Sequence, residues 1–148
     1  MESSEEQGRN QSEECRVVKK LRSVTVQKEE FKKADDLKKR TKSYALIIIK
    51  LYSSLPKKME MQVIGKQILR SGTSVGANYR EGCRARSSQE FLAKLGISLQ
   101  ELEETAYWLE LLIEIDYLKK EIIKSLMQET NELIAIFVSS INTAKRNK

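Results

Sequence analysis

The sequence lacks the residues on which several classes of active site depend. It contains no histidine, one proline and two cysteines among 148 residues. Without histidine there is no imidazole base, no Ser-His-Asp or Cys-His arrangement and no histidine-ligated metal. Cys15 and Cys83 cannot form a zinc site by themselves, and we expect both to be ordinary reduced thiols. The composition therefore predicts a protein that is not an enzyme, with no metal and no other cofactor.

Long apolar runs and targeting signals are also missing. No uninterrupted apolar run is longer than that of residues 44–49, which is much shorter than the roughly 20 residues that a helix needs to cross a bilayer. The N-terminal residues are acidic and polar, unlike a signal or transit peptide. These features predict a cytoplasmic protein with no membrane partner.

Residues 1–28 show no sustained hydrophobic period. They combine scattered glutamates with a short basic patch, and they hold too little apolar surface to offset the entropy of ordering. We therefore expect a mobile N-terminal extension over residues 1–28 and a single domain over residues 29–148.

From Phe31 onward, core-forming residues recur in steps of three and four, the period of packed α-helices. The predicted core positions are Ala34, Leu37, Thr41, Tyr44, Ile48, Leu51 and Leu55 in the first helix; Met61, Ile64, Ile68, Ser71, Val75, Asn78 and Gly82 in the second; Leu92, Leu95, Leu99, Leu102, Ala106, Leu109 and Ile113 in the third; and Ile122, Leu126, Thr130, Leu133, Phe137, Ser140 and Ala144 in the fourth. Because the connections are short, the pattern predicts an all-α fold, an antiparallel up-down-up-down four-helix bundle.

Two local signals mark helix ends. Pro56 should end the first helix, because the residue before a proline is pushed out of helical geometry. Ser87 and Glu90 form a capping box at the start of the third helix, with Ser87 bonding the backbone at Glu90 and Glu90 reaching back.

Three glycines, Gly65, Gly72 and Gly76, fall inside the second helix. Each glycine costs roughly 1 kcal/mol relative to alanine within a helix. Close approach of a neighbouring backbone would account for them, and a local break near Gly72 and Gly76 is the alternative.

The bundle topology concentrates positive charge at the end where the first and third helices begin and the other two finish. We call this the basic end. Its thirteen cations are Lys32, Lys33, Lys38, Lys39, Arg40, Lys42, Arg80, Arg84, Arg86, Lys94, Lys145, Arg146 and Lys148. Only Asp35, Asp36, Glu81 and Glu90 oppose them, which leaves a net charge of +9. Residues 95–118, by contrast, contain six acids and no base, so the molecule is polarised.

A concentrated basic surface attracts phosphate backbones through counterion release. Two other interpretations stay open: a charged surface without a nucleic-acid partner, and a surface that binds an acidic protein. No base-reading helix-turn-helix and no aromatic RNP-type motif is present, so binding would rest on shape and phosphates. The residues that we expect to contact phosphates are Lys38, Lys39, Lys42, Arg80, Arg84 and Arg86.

Apolar residues also occur where a monomeric bundle should be polar. Residues 45–49 are apolar all the way round the first helix, and a second apolar stripe runs along the third helix. A helix that is apolar on both faces is buried on both faces. The pattern predicts a homo-oligomer, with asymmetric packing within one chain as the alternative. The predicted interface residues are Leu46, Ile49, Tyr107, Trp108, Leu111 and Ile115.

Some polar residues are expected to be structural. Asn78 occupies a predicted core position, where Ser71, Thr41 or a backbone carbonyl could satisfy its amide. Direct contact with a ligand is the alternative. Glu81 is expected to bond Arg84 or a neighbouring helix end. The full structural polar set is Ser74, Asn78, Glu81, Ser87 and Glu90.

The segment from residue 67 to residue 91 resembles a known family signature. It contains the pattern Ser-x-x-x-Asn-x-x-Glu-Gly at Ser74, Asn78, Glu81 and Gly82. Together with the later YWLELL (residues 107–112) and IAIFV (residues 134–138), it is similar to the four-helix bundle family of 23S rRNA intervening-sequence proteins. The resemblance covers residues 29–146. Many members of the family carry proline where this sequence has Gly76.

The resemblance implies a bacterial, cytoplasmic, non-enzymatic protein that forms a homopentameric ring of bundles and associates with RNA, including rRNA. Similar bundles are accessory subunits of the reverse transcriptases of diversity-generating retroelements. Residues and resemblance together predict an oligomeric, RNA-associated bundle. The alternative is a protein-binding assembly or accessory factor that docks an acidic partner or a nucleic-acid enzyme such as a reverse transcriptase.

Overall fold

The computed structural model describes the backbone of residues 24–115 and 120–147, and the side chains of residues 34–115 and 121–147. The described chain forms four helices: α1 (Val24–Ser54), α2 (Met59–Cys83), α3 (Ser88–Ile115) and α4 (Lys120–Arg146). Helix α1 begins at Val24, inside the segment that the sequence predicts as an extension. Residues 1–23, 116–119 and 148 lie outside the described residues. The prediction of an all-α four-helix bundle is confirmed.

Consecutive helices pack against one another, α1 on α2, α2 on α3 and α3 on α4. Helices α1 and α4 make few close contacts. Two surface grooves, of about 590 Å³ and 500 Å³, run between them. We call this the open side of the bundle.

The core of α1 is the one that the sequence predicts, because all seven predicted positions are buried. Helix α3 is slightly rotated from the prediction: Leu95, Leu102 and Leu109 are buried as predicted, and the other four positions differ. The predicted residues Leu92, Leu99, Ala106 and Ile113 are only partly buried, and the residue before each of them, Phe91, Ser98, Thr105 and Leu112, is buried instead. The rotation is stable because the buried hydroxyls are bonded: Ser98 donates to the Val75 carbonyl at 2.8 Å. In α4, Ile122 is exposed rather than buried, and Ile123 takes its place in the core.

One buried hydroxyl from each helix lies at the middle of the bundle: Tyr44, Ser71, Thr105 and Thr130. We call these four the hydroxyl layer. The Tyr44 hydroxyl oxygen lies 2.7 Å from Thr130 Oγ1, and Ser71 Oγ lies 2.6 Å from Thr105 Oγ1. Each threonine hydroxyl also donates to a carbonyl one turn earlier in its own helix, at 2.8 Å. Each threonine has one hydroxyl proton, so Tyr44 and Ser71 are the donors across the helices. Burial raises the pKa of Tyr44 to about 12, so the donor keeps its proton at neutral pH.

Helix α2 is continuous through Gly65, Gly72 and Gly76, which lie against α1. A Cβ atom added to Gly76 would lie 3.0 Å from Thr41 Oγ1 and 3.6 Å from the Thr41 backbone carbon. At Gly72 the nearest atom is Ile48 Cγ1, at 2.8 Å. Close approach of α1 therefore explains these glycines, and the alternative of a local break is wrong.

The turn between α2 and α3 carries the predicted cap. The backbone N–H of Glu90 donates to Ser87 Oγ at 3.1 Å, as the capping box requires. The Glu90 carboxylate reaches back to the backbone N–H of Arg86 at 3.2 Å. The segment between α2 and α3 is therefore held against the first turn of α3.

Cys83 is buried and disulfide-bonded, so the prediction of a reduced thiol is wrong for this residue. The other cysteine of the sequence, Cys15, lies outside the described residues. Disulfides are rare in reducing compartments, and the bond does not favour the predicted cytoplasmic location.

Candidate nucleic-acid interface

Three of the predicted phosphate-binding residues, Lys38, Arg80 and Arg84, come together where α1 faces the C-terminal end of α2. We call them the Lys38 cluster. The Arg80 guanidinium donates to the backbone carbonyl of Lys38 at 3.4 Å. Burial, followed by the positive charges of Arg80 and Arg84, lowers the pKa of Lys38 to about 8. The topology inferred from the sequence thus does bring distant cations together.

Burial separates the roles of these three residues. The Lys38 side chain is only 4% exposed, whereas Arg80 and Arg84 are on the surface. Arg84 also caps the C-terminus of α2, where its backbone N–H donates to the Glu81 carbonyl at 3.1 Å and the Ala85 N–H donates to the Gly82 carbonyl at 3.0 Å. Arg80 and Arg84 are therefore more accessible to a ligand from solvent than Lys38 is.

The other predicted phosphate-binding residues, Lys39, Lys42 and Arg86, are exposed. The Lys39 ammonium lies 3.4 Å from the carboxylate of Asp35, one turn earlier in α1. Lys42 lies one turn beyond Lys38, and Arg86 lies in the segment that joins α2 to α3. These side chains extend the positive surface beyond the Lys38 cluster.

Acids from α4 partly neutralise the basic end, which the sequence count of +9 overlooks. Arg40 crosses the open side of the bundle and contacts two glutamates, with Nε 2.7 Å from Glu129 Oε2 and Nη2 2.6 Å from Glu132 Oε1. Near the start of α3, the Lys94 ammonium lies 2.7 Å from Glu81 Oε1. The positive surface is therefore narrower than the sequence predicts and centres on the α1–α2 flank.

Asn78 is partly buried and satisfied within its own helix. Its side-chain amide donates to the Ser74 carbonyl at 2.9 Å, and the Ser74 hydroxyl donates to the Arg70 carbonyl at 2.7 Å. A backbone carbonyl thus satisfies the amide, which was one of the predicted options. This geometry supports a structural interpretation of Ser74 and Asn78.

The surface between α2 and α3 carries a second charged network. Arg70 forms ion pairs with Glu101 and Glu104. The indole N–H of Trp108 donates to Glu104 Oε2 at 3.0 Å. The hydrogen bond from Arg70 and then that from Trp108 lower the pKa of Glu104. This network fixes Trp108 against the α2 side of α3.

The predicted interface residues differ in exposure. Leu46 is 51% exposed and Tyr107 is 54% exposed, and Ile49 and Ile115 are also exposed. Trp108 and Leu111 are partly buried. The rings of Tyr107 and Trp108 meet edge to face, with centroids 5.2 Å apart. A single chain thus leaves large apolar side chains in water on both α1 and α3.

Further apolar residues are exposed at the end of the bundle opposite the basic end, and the sequence analysis missed two of them, Met59 and Val63. Met59 and Val63 lie four residues apart near the start of α2, and both are exposed. Ile47 on α1 and Ile122 on α4 line one groove of the open side. The signal that could have identified Met59 and Val63 is their spacing of four residues at positions outside the predicted core. None of the four described helices has the length and apolar character that crossing a membrane requires.

Comparisons with known proteins agree on one family. The sequence profile described as "23S rRNA-intervening sequence protein" matches residues 33–139. A crystal structure of a protein of unknown function from the S23 ribosomal protein family of Bacteroides thetaiotaomicron is similar, with 42% sequence identity and a TM-score of 0.66. The match covers 70% of this chain and 96% of that chain. No curated protein matches this sequence. The chain therefore belongs to the family of 23S rRNA-intervening sequence proteins.

Proposed function

We propose that this protein is a non-enzymatic, self-assembling bundle that binds structured RNA through its basic end. The observation that carries the proposal is the Lys38 cluster. Burial first, and then the positive charges of Arg80 and Arg84, lower the pKa of Lys38, and the two charge contributions show that these cations repel one another. A phosphate group placed against Arg80 and Arg84 would relieve that repulsion and stay bonded to both.

Structured RNA is the ligand that the fold and the family favour. A bundle without a base-reading motif can still recognise the shape and the phosphates of a folded RNA. The name of the family refers to intervening sequences of 23S rRNA, which supports RNA over other polyanions. Rigid helices also hold Arg80 and Arg84 one turn apart, a spacing that suits successive phosphates of a backbone.

Self-assembly is part of the same proposal. The exposed apolar residues of α1 and α3 support it, because a folded monomer rarely leaves such surfaces in water. Assembly would place several basic ends side by side, and weak phosphate contacts would then act together. A ring of five copies is the form that we expect.

The decisive experiment is a salt titration of RNA binding by the full chain. The probe is a transcribed RNA hairpin, with the DNA hairpin of the same sequence for comparison. We expect the affinity for RNA to fall steeply with salt. Reversing Arg80, Arg84 and Arg86 to glutamate should abolish binding and leave the helical circular dichroism unchanged.

A matched control reverses three exposed lysines elsewhere on the chain, Lys57, Lys66 and Lys124. This variant carries the same change in net charge and should keep measurable RNA binding. If both triple variants lose affinity equally, binding reflects net charge and the basic end is not the site. If the first variant keeps full affinity, the proposed site is wrong.

A second candidate function is that of an accessory protein whose basic end docks an acidic helix of another protein. Arg40 favours this option, because it already binds two glutamates one turn apart on α4. A partner that stays bound after nuclease treatment would support this function. A partner that is released by nuclease would support RNA binding.

We place the proposed function in the cytoplasm, where rRNA is. Thiol alkylation of the protein in freshly lysed cells tests this location, because it shows whether Cys83 is reduced or disulfide-bonded in the cell. Rapid labelling of Cys83 only after unfolding would fit a reduced thiol in the buried core. Cys83 that resists labelling until a reductant is added would contradict a reducing compartment.

A further inference from the structure

The disulfide at Cys83 lies beside the Lys38 cluster. Cys83 lies three residues after Arg80 in α2, and Arg84 follows directly at the C-terminus of the helix. Residues three and four apart are neighbours on a helix surface, so Arg80 adjoins both. Cys83 is fully buried, whereas the two arginines are exposed. The cysteine that completes the disulfide is therefore held close to two guanidinium groups.

Cys15 is the partner that the sequence offers, because it is the one other cysteine of the chain. Two copies of Cys83 could not bond to each other. Each is fully buried in its own core, and a disulfide holds its two Cα atoms within about 7 Å. The bond at Cys83 therefore requires Cys15, from the same copy or from another.

Antiparallel packing places Cys83 level with Ala34 of α1. A Cβ added to Gly76 would lie 3.0 Å from Thr41 Oγ1, so these two residues face one another. Cys83 lies seven residues after Gly76. Ala34 lies seven residues before Thr41, so it comes to the same level. The hydroxyl of Tyr79, one turn before Cys83, donates to the Ala34 carbonyl at 3.3 Å, in agreement with this alignment.

The chain between Cys15 and α1 is long enough to reach this level. Val24, where α1 begins, lies nine residues after Cys15, and nine residues span about 30 Å when extended. Ala34 lies ten residues beyond Val24, which is about 15 Å along the helix. Packed helices are about 8–10 Å apart. Cys15 can therefore reach Cys83 of its own copy.

The residues before Cys15 are acidic, opposite in charge to the Lys38 cluster. Glu13 and Glu14 directly precede Cys15, and residues 1–14 contain five glutamates and one arginine. Each residue of extended chain adds only about 3.3–3.6 Å, so a disulfide at Cys15 brings these two carboxylates within reach of the arginines of the cluster. The cations of residues 16–22 lie on the other side of Cys15, in the stretch that leads to α1. Charge complementarity therefore selects the acidic stretch as the partner of the cluster.

We propose that a Cys15–Cys83 disulfide holds Glu13 and Glu14 against the Lys38 cluster, where their carboxylates take the place of RNA phosphates. This inference rests on the RNA binding proposed above, and it names how that binding is regulated. Carboxylates and phosphates use the same N–H donors of arginine, so the two compete. Oxidation closes the basic end, and reduction opens it.

A small-molecule disulfide such as oxidised glutathione is the oxidant that the switch requires. One cysteine thiolate attacks it, forms a mixed disulfide and releases the first half as a thiol. The other cysteine then displaces the second half as a thiol and completes the Cys15–Cys83 bond. Excess thiol reverses both exchanges. Because a reducing compartment favours the thiols, the basic end is open in the cytoplasm and closes under oxidative conditions.

Peptide mapping of the full chain tests the bond itself. After treatment with oxidised glutathione and digestion without reductant, mass spectrometry should find Cys15 linked to Cys83. The undigested protein should migrate as one chain in non-reducing electrophoresis. A disulfide-linked dimer, or two cysteines that stay reduced or carry glutathione, would overturn the proposal.

RNA binding of the reduced and the oxidised protein tests the regulation, with the same RNA hairpin at one salt concentration and pH. A short tether gives the glutamates an effective concentration of about 1 mM. A contact with a dissociation constant of about 0.1 mM would then weaken RNA binding about tenfold, which is the effect that we expect. Cys15→Ser should bind like the reduced wild type under both conditions. Cys15 is the cysteine to replace, because Cys83 is part of the core.

Two double variants separate the contact from net charge. Glu13→Gln with Glu14→Gln removes the carboxylates beside the tether, and in the oxidised protein it should restore most of the affinity. Glu5→Gln with Glu6→Gln is the matched control, because it removes the same charge nine or more residues before Cys15. The control should leave the oxidised protein inhibited. Equal effects of the two double variants would overturn the contact with the Lys38 cluster.

The regulation and the proposed function fail in different ways. If the reduced and oxidised wild type bind the hairpin equally, the regulation is wrong and RNA binding stands. If the reduced wild type and Cys15→Ser both fail to bind the hairpin, the proposed function is wrong and its regulation falls with it. Circular dichroism of each form confirms that a change in affinity is not a loss of fold.

Discussion

Replacing Gly72 with alanine tests how closely α1 and α2 approach in the core. The new Cβ would lie 2.8 Å from Cγ1 and 2.9 Å from Cδ1 of Ile48, closer than packed carbon atoms allow. Ile48 is fully buried, so it has no free space into which to move. Overpacking of this kind costs about 1–3 kcal/mol, and alanine regains up to about 1 kcal/mol of helix propensity. We expect the free energy of unfolding to fall by about 1–2 kcal/mol.

Gly96 in α3 provides the matched control, because a Cβ added there meets no atom within 4 Å. Gly96→Ala should raise the free energy of unfolding by up to about 1 kcal/mol. The same substitution is thus expected to lower the free energy of unfolding at Gly72 and to raise it at Gly96. Urea unfolding followed by far-UV circular dichroism measures both variants, at equal protein concentration because assembly would add to stability.

The two variants refute the reasoning in different ways. If Gly72→Ala is as stable as the wild type, α1 and α2 do not approach as closely as the structure has them. If Gly96→Ala is destabilised as much as Gly72→Ala, the loss at Gly72 cannot be assigned to Ile48. A changed slope against urea would indicate an altered denatured state rather than a clash.

The hydroxyl layer, the Lys38 ammonium and the cap of α3 each give a further measurable expectation. Tyr44→Phe and Thr130→Val should each lower the free energy of unfolding by about 1–2 kcal/mol, and the double variant should lose less than the sum, because no buried hydroxyl then lacks its partner. Additive losses in a urea series would show that the two hydroxyls are not coupled. Lys38 has a pKa of about 8 when folded and an ordinary value of 10.5, so the unfolded chain binds more protons between these limits and stability should rise with pH there. Lys38→Met should flatten that rise in thermal unfolding, and parallel curves for the two proteins would contradict the buried ammonium. Ser87→Ala removes the acceptor of the Glu90 N–H and should lower the free energy of unfolding by about 1 kcal/mol; an unchanged urea midpoint would mean that the cap is not formed.

The helices could be predicted because their signals are local. The predicted core positions of the first helix, from Ala34 to Leu55, are all buried. Pro56 lies two residues beyond the end of α1, and Ser87 caps α3, as the sequence indicates. Periodicity, proline geometry and capping act within a few residues of one chain, so they can be read without the fold.

The rotation of α3 could not be predicted in the same way. Apolar residues occur on more than one side of this helix, and the sequence analysis chose Leu92 and Leu99 over Phe91 and Ser98. The choice depends on Ser98 finding the Val75 carbonyl across the interface with α2. A serine is buried only when another helix supplies its partner, and that partner is remote in sequence.

The candidate site, too, could be predicted only in part from the sequence. Alternating helix directions suffice to bring Arg80 and Arg84 close to Lys38 in α1, and the sequence analysis grouped these three residues. The burial of Lys38 and the capture of Arg40 by Glu129 and Glu132 depend on side chains from other helices. Counting charged residues at the basic end predicted that its surface is positive, but it did not predict how far that positive surface extends.

The sequence by itself determined the four helices, their order, most of the core and the polarity of charge, because these follow from spacing along one chain. Only the tertiary structure decided which cations stay at the surface, which glutamates neutralise their neighbours and which face of α3 is buried. Those outcomes depend on distances between helices, where a difference of a few ångströms separates a bonded group from a solvated one.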